Sequence, residues 1–171
     1  MFANNERVAM TRRYPNLKPK VLKRDAEISK KIVSAWDIEK DSTKVLGIFL
    51  KERFNLSDER YWELLRTVWI IAGSLETVDV FRQLMLSNRK ERHYFSTPED
   101  AKKLREMDEQ FEVYRAGSDN DGGISWTTSK EYAEQYKRDY HKEKVMTRTV
   151  NRKDVFAYIQ RNLEFEIIIL K

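Results

Sequence analysis

The sequence of 171 residues contains no cysteine and only two histidines, five glycines and three prolines. Without cysteine, the chain has no disulfide framework, no thiolate nucleophile and no thiolate ligand for a metal. His93 and His141 are isolated in the sequence and lack the spacing of metal ligands, so we interpret them as structural or surface residues. Catalysis, if present, is therefore expected to use oxygen and nitrogen groups without a metal.

Long apolar runs are also missing. No segment approaches the roughly 20 apolar residues that span a bilayer, and residues 1–7 lack the apolar core of a secretory signal. We therefore expect no membrane contact and a cytoplasmic location. The sequence also lacks a Gly-x-Gly-x-x-Gly motif, so a dehydrogenase of the Rossmann type is not indicated.

Charge is distributed unevenly along the chain. The net charge is +5, and residues 1–24 alone hold seven basic residues against one acidic residue. Because Pro15 and Pro19 interrupt a helix, we expect regular structure to begin near Asp25 and residues 1–24 to form a flexible basic arm. Two interpretations of the arm remain open: a solvated terminus, or a contact for nucleic acid or an acidic protein surface through residues 7–24.

Hydrophobic periodicity divides the rest of the chain into two parts. A composition of 40% hydrophobic residues is sufficient for a buried core. Residues 25–109 show helical spacing, and the patterns at Ser57 and Thr97 predict helix caps. Residues 110–171 predict a helix from Thr128 or Ser129 to about Tyr140, and strands at 111–115, 124–127, 145–150, 155–159 and 165–170. The expected fold class is α+β, with a helical N-terminal half packed on a small, mostly antiparallel sheet.

Two glutamates, Glu164 and Glu166, lie two residues apart at the start of the last predicted strand. Side chains alternate across a strand, so both are expected on one face, where two like charges are costly unless a positive or polar group faces them. Such a pair is often only a solvated strand face. An arginine at a strand end and hydroxyl residues around a tryptophan are likewise common surface or core features.

Taken together and in this order, three motifs resemble the mono-ADP-ribosyltransferases of the arginine–serine–glutamate class. They are Arg115, Ser125-Trp126-Thr127 and Glu164-Phe165-Glu166. The similarity is greatest to a bacterial and phage subset, whose signature runs Val-Tyr-Arg-Gly, Gly-x-Ser-Trp-Thr, a helix with alanine and an aromatic residue, and a Glu-x-Glu strand. It covers residues 111–171 well and the helical half only loosely. Ala116 stands where the family has glycine, which could restrict the approach of the backbone to the dinucleotide.

The resemblance implies NAD as co-substrate and assigns roles to these residues. Glu166 would be the catalytic carboxylate that hydrogen-bonds a ribose hydroxyl, and Glu164 a second catalytic group facing an arginine acceptor. Arg115 would contact the NAD phosphates or the nicotinamide ribose. The 125–127 segment is assigned to NAD binding: Ser125 would orient the ribose and support Glu166, and Thr127 would brace the wall. Alternation places the Trp126 side chain on the opposite face, and Tyr136 is assigned to the core rather than to nicotinamide stacking.

The chemistry explains why these residue types are needed. Cleavage of the nicotinamide–ribose bond passes through an oxocarbenium-like state, which a nearby carboxylate stabilises. We therefore expect a mono-ADP-ribosyltransferase that modifies a protein on a side chain, most readily arginine, as a phage effector or bacterial toxin acting on host machinery. Residues 25–109 would complete the NAD cleft, and 110–171 would form the catalytic core. The alternatives are a non-catalytic binding or inhibitor protein that uses the basic arm, and an NAD glycohydrolase.

Overall fold

A computed structural model describes residues 14, 16–119, 121–161 and 164–171 of the chain. These residues form two compact units. One comprises the described residues up to Gly73 together with Leu84–Phe95, and the other comprises Ser74–Gln83 and Ser96–Lys171. The candidate site residues of the sequence all belong to the second unit.

Six α-helices occur within the described residues. Their bounds are α1 Pro19–Glu39, α2 Ser42–Glu52, α3 Asp58–Ala72, α4 Val78–Met85, α5 Pro98–Glu106 and α6 Lys130–Asp139. Three predicted caps are confirmed: the side chains of Ser57, Thr97 and Ser129 accept hydrogen bonds from the backbone N–H groups of Arg60, Asp100 and Tyr132. Among the helices that the structure describes, none is both long enough and apolar enough to cross a bilayer.

The expected start of regular structure near Asp25 is wrong, because α1 begins at Pro19. Proline at the first helical position loses no hydrogen bond, since that N–H has no partner within the helix, and its fixed φ suits the helix. Pro19 therefore begins the helix instead of blocking it. Most of the predicted arm, residues 1–13 and 15, lies outside the described residues.

The first unit has a helical core. Helices α1, α2 and α3 pack together, and their largest fully buried side chains include Ile32, Phe49, Trp62 and Leu65. The Trp62 indole donates a 2.6 Å hydrogen bond to the carbonyl of Lys90. The polar end of this buried aromatic residue therefore finds a backbone partner within the unit.

The second unit contains a five-stranded sheet. Its strands are β1 Gln110–Gly117, β2 Ser125–Thr127, β3 Lys144–Asn151, β4 Ala157–Arg161 and β5 Glu164–Ile168. They are ordered β3-β1-β2-β5-β4, and each neighbouring pair is antiparallel. With helices filling the N-terminal half of the chain, the expected α+β fold is confirmed.

One strand differs from its prediction in a way that matters for the site. Strand β4 runs from Ala157 to Arg161 rather than over 155–159, and a 3-10 turn at Arg152–Asp154 precedes it. The later end brings Arg161 into the strand.

The two faces of the sheet differ in character. On one face, Val113, Val150, Tyr158 and Ile167 form a buried cluster, against which Leu104 and Met107 at the end of α5 also pack. The other face carries the polar residues of β2 and β5.

Candidate active site

Ser125 and Glu166 meet through the register of β2 and β5. Ser125 pairs with Ile168 and Thr127 with Glu166, so alternation puts both hydroxyl residues on the face of Glu166. The Ser125 hydroxyl donates a 2.6 Å hydrogen bond to Oε1 of Glu166, whose residue is only 1% exposed. Ser125 and Glu166 are therefore in direct contact, as the expected support of Glu166 requires.

A basic residue, Arg161, faces the two carboxylates. In the β4–β5 pair it lies directly opposite Glu164. Its Nη2 is 3.2 Å from Oε2 of Glu164 and donates a 3.1 Å hydrogen bond to Oε2 of Glu166. One guanidinium therefore bridges both glutamates, which explains how two like charges are accommodated side by side.

Sequence reasoning missed Arg161. The signal was its position three residues before Glu164, which becomes informative only if residues 161 and 164 are paired strand ends. The strand predicted over 155–159 stopped short of it.

Glu164 is less enclosed than Glu166, and its side chain is 24% exposed. Burial raises its pKa, Arg161 lowers it, Glu166 raises it and a hydrogen bond with Tyr132 lowers it, leaving the pKa above its ordinary value. A raised pKa brings a carboxyl group closer to the range useful for proton transfer.

Tyr132 is a second residue that sequence reasoning missed. Burial, with the nearby Glu164, raises the pKa of Tyr132 to about 12. Its hydroxyl therefore stays protonated at neutral pH and can donate to the Glu164 carboxylate.

Thr127 positions the helix that carries Tyr132. Its Oγ1 accepts a 3.1 Å hydrogen bond from the Ser129 N–H, and Ser129 caps α6 through the Tyr132 N–H at 3.1 Å. Thr127 therefore stabilises the turn from β2 into α6.

Arg115 is held by a loop at the end of β1. Its Nη1 donates to Oδ1 of Asp121, and the same oxygen accepts the Gly123 N–H at 3.1 Å. Burial acts to raise the pKa of Asp121, but the hydrogen bond from Arg115, that from the Gly123 N–H and the charge of Arg115 together lower it. Arg115 therefore forms a partly buried ion pair with Asp121.

Two aromatic residues, Trp126 and Tyr136, differ in their burial. Trp126 packs against the apolar cluster with Ile167, so its ring lies on the face opposite Ser125, as alternation predicted. The assignment of Tyr136 to the core is wrong, because it is 37% exposed. Ala133 is the buried residue of α6, whereas Tyr136 stacks on Tyr140 with ring centroids 4.3 Å apart.

The polar network is therefore continuous in one unit. It comprises Ser125, Arg161, Glu164 and Glu166, and Tyr132 lies near Glu164. Such an arrangement can hold one carboxylate in a fixed orientation and place beside it a second carboxyl group whose pKa is raised. No cluster of three or more histidine and acidic side chains suited to a metal occurs within 14, 16–119, 121–161 and 164–171.

Comparisons with known proteins found no matching family model, no similar curated protein and no similar solved structure.

Proposed function

We propose that the chain is a mono-ADP-ribosyltransferase that transfers ADP-ribose from NAD to a protein side chain, with arginine as the acceptor. The observation that carries the proposal is the 2.6 Å hydrogen bond between Ser125 and the buried carboxylate of Glu166. It joins two of the three motifs of the resemblance, which lie 41 residues apart in the sequence.

The donor side of the reaction requires an oriented carboxylate. As the bond from C1′ of the ribose to nicotinamide breaks, positive charge develops on the sugar, and a fixed carboxylate stabilises it. Glu166 meets this requirement because both its oxygens are held, one by Ser125 and the other by Arg161. In this proposal Glu166 is the catalytic residue and Ser125 is a positioning residue.

The acceptor side requires a group that binds a guanidinium and takes its proton. Glu164 lies on the same strand face as Glu166 and is more exposed. Its raised pKa favours proton transfer from a nucleophile whose own pKa is very high. The new bond joins a guanidinium nitrogen to C1′, the proton passes to Glu164, and nicotinamide leaves.

In the proposed reaction Arg115 contacts NAD, although its charge is already compensated by Asp121. Its guanidinium is paired with Asp121, so the pair carries little net charge toward a phosphate. Contact with NAD phosphates would use the guanidinium donors that Asp121 does not take. NAD binding at this point is therefore weaker than an unpaired arginine would provide.

Incubation of the full chain with labelled NAD and a bacterial lysate tests the proposal. We expect label on protein, and mass spectrometry should locate ADP-ribose on arginine. Glu166→Gln keeps the shape of the side chain but removes its charge, so transfer should fall by about 100-fold or more. The control is Glu112→Gln, since Glu112 is an exposed strand glutamate in β1, and it should retain full transfer.

The same assay separates the competing functions. Free ADP-ribose without labelled protein would identify an NAD glycohydrolase. An absence of NAD consumption, with no thermal shift by NAD and loss of function on deleting residues 1–20, would identify a binding protein. Transfer that survives Glu166→Gln, in a protein with an unchanged circular dichroism spectrum, would overturn the assignment of the site.

A further inference from the structure

The Arg161 guanidinium contacts the carboxylates of both Glu166 and Glu164. The proposed reaction assigns Glu166 to the donor and Glu164 to the acceptor. A single nitrogen, Nη2, is 3.1 Å from Glu166 Oε2 and 3.2 Å from Glu164 Oε2. We propose that Arg161 occupies, within the chain, the place of the acceptor's guanidinium, so that an acceptor arginine must displace it. The acceptor role in this statement rests on the proposed transferase function.

The backbone places Arg161 there. Strands β4 and β5 are paired from Ala157 opposite Ile168 to Arg161 opposite Glu164, so the Cα position of Arg161 is fixed by five consecutive pairs. Its side chain, in contrast, is 31% exposed. A change of side-chain rotamer alone can therefore move the guanidinium off the glutamates without disturbing the sheet.

Exchange of one guanidinium for another leaves the net charge of the site unchanged. Glu166 is buried, so removing its cation without replacement would leave an uncompensated charge, which is strongly destabilising. An acceptor arginine presents the same planar fork of donors as Arg161. Displacement by an arginine thus keeps both carboxylates paired, whereas displacement by a side chain without a cation does not, and this difference favours a cationic acceptor such as arginine.

If Arg161 has only a structural role, its removal should have a different effect on ligand binding. If Arg161 only clamps Glu166, its removal should disorder the site and create no place for a ligand. If it occupies an acceptor site, its removal should open that site to small guanidines.

The binding of agmatine, a small guanidine without a carboxylate, distinguishes these cases in the absence of NAD. Titrations of the full chain followed by NMR compare the wild type with Arg161→Met, which removes the guanidinium but keeps an apolar stem. The dissociation constant should fall by about tenfold or more, because an intramolecular competitor with an effective concentration of roughly millimolar has been removed. Adding Glu164→Gln to Arg161→Met should reverse the gain.

Arg148→Met is the matched control. Arg148 is an exposed arginine on β3 whose guanidinium donates to the Lys171 carbonyl at 3.2 Å, so its removal should leave agmatine binding unchanged. Arg161→Gln, which keeps a hydrogen-bond donor for Glu166, replaces Arg161→Met if the latter does not fold. Failure of both variants to fold would mark Arg161 as a permanent clamp and overturn the proposal, as would a gain in binding that does not depend on Glu164.

The agmatine experiment can succeed or fail independently of the proposed transferase function. Tighter agmatine binding by Arg161→Met in a chain that never consumes NAD would leave the guanidinium site standing and remove the transferase assignment. Conversely, a chain that transfers ADP-ribose, but in which Arg161→Met lowers kcat and leaves the KM for agmatine unchanged, would keep the function and overturn the displacement model.

Discussion

The guanidinium of Arg115 occupies the space that a side chain at position 123 would need. A Cβ atom built on Gly123 would overlap the Cζ and both terminal nitrogens of Arg115. A side chain at position 123 therefore needs the Arg115 guanidinium to move, and the loop that contains Gly123 also supplies Asp121 as the partner of that guanidinium.

Gly123→Ala should expel the Arg115 guanidinium while leaving the backbone intact. The loss of its partner leaves Asp121 partly buried and less well paired, so the free energy of unfolding should fall by about 1–3 kcal/mol. Denaturant titration measures this change. Adding Asp121→Asn should recover part of the loss, because the unpaired charge is removed.

Gly47→Ala provides the matched control for that measurement. Nothing lies within 4 Å of a Cβ built on Gly47, and the residue is in the interior of α2. Alanine there should stabilise by up to about 1 kcal/mol, since glycine is a poor helix former. A loss of stability in both variants would indicate that the effect at position 123 is not due to Arg115.

Asp121→Asn alone should strengthen NAD binding if Arg115 contacts the phosphates. The substitution leaves the Arg115 charge uncompensated in the free protein. A phosphate should bind this charged guanidinium more tightly than the one neutralised by Asp121, by about 1 kcal/mol or roughly fivefold in KM. Steady-state kinetics should show a lower KM for NAD with little change in kcat. An unchanged KM would indicate that Arg115 serves only to fix its loop.

The same substitution has a defined pH dependence of stability. The pKa of Asp121 is lowered in the fold, so its contribution is present above the unfolded-state pKa of about 3.9 and disappears as the pH falls through the folded-state pKa. Asp121→Asn should therefore destabilise the chain at neutral pH and cost progressively less toward acidic pH. A loss of stability that is constant with pH would contradict this.

The parts of the fold that depend on neighbouring residues could be predicted from the sequence. Helix caps at Ser57, Thr97 and Ser129 involve groups three residues apart, so they are visible in the sequence pattern. The common face of Glu164 and Glu166 follows in the same way from the period of a strand.

The cation between the glutamates could not be predicted, because it depends on register. Arg161 meets Glu164 because β4 and β5 pair in the register that also places Ile159 opposite Glu166. Periodicity in the sequence fixes neither that register nor the end of a strand. Tyr136 was misassigned for a related reason. The face that a helix buries depends on the elements packed against it, and α6 buries Ala133 rather than its tyrosines.

Ser125→Ala tests how far catalysis depends on the orientation of the Glu166 carboxylate, because it leaves the Glu166 side chain itself unchanged. The carboxylate keeps its contact with Arg161 but loses its hydrogen bond at 2.6 Å, so the protein should lose about 1–3 kcal/mol of stability. If ADP-ribose is transferred, kcat should fall by roughly tenfold to 100-fold. Ser125→Thr, which keeps the hydroxyl, should recover most of the activity, whereas equal loss in both variants would argue against the hydrogen bond as the cause.

Glu164→Gln should stabilise the chain increasingly as the pH rises. The pKa of Glu164 is raised in the fold, chiefly by burial. The stability associated with this group is therefore fully present below its unfolded-state pKa of about 4.3 and is lost as the pH rises through the folded-state pKa. Glutamine does not ionise and avoids this loss. The free energy of unfolding of Glu164→Gln minus that of the wild type should consequently increase from about pH 4 to pH 7.

Arg161 supplies an internal control for this measurement, because its charge lowers the pKa of Glu164. In an Arg161→Met background, the ionised Glu164 loses that compensation, so the same comparison should show a steeper increase with pH. Denaturant titrations across the pH range measure both differences. A stability difference that decreases with rising pH would mean that Arg161 outweighs burial, and the carboxyl group would then be a firmly ionised partner of Arg161, poorly suited to accept a proton from the nucleophile.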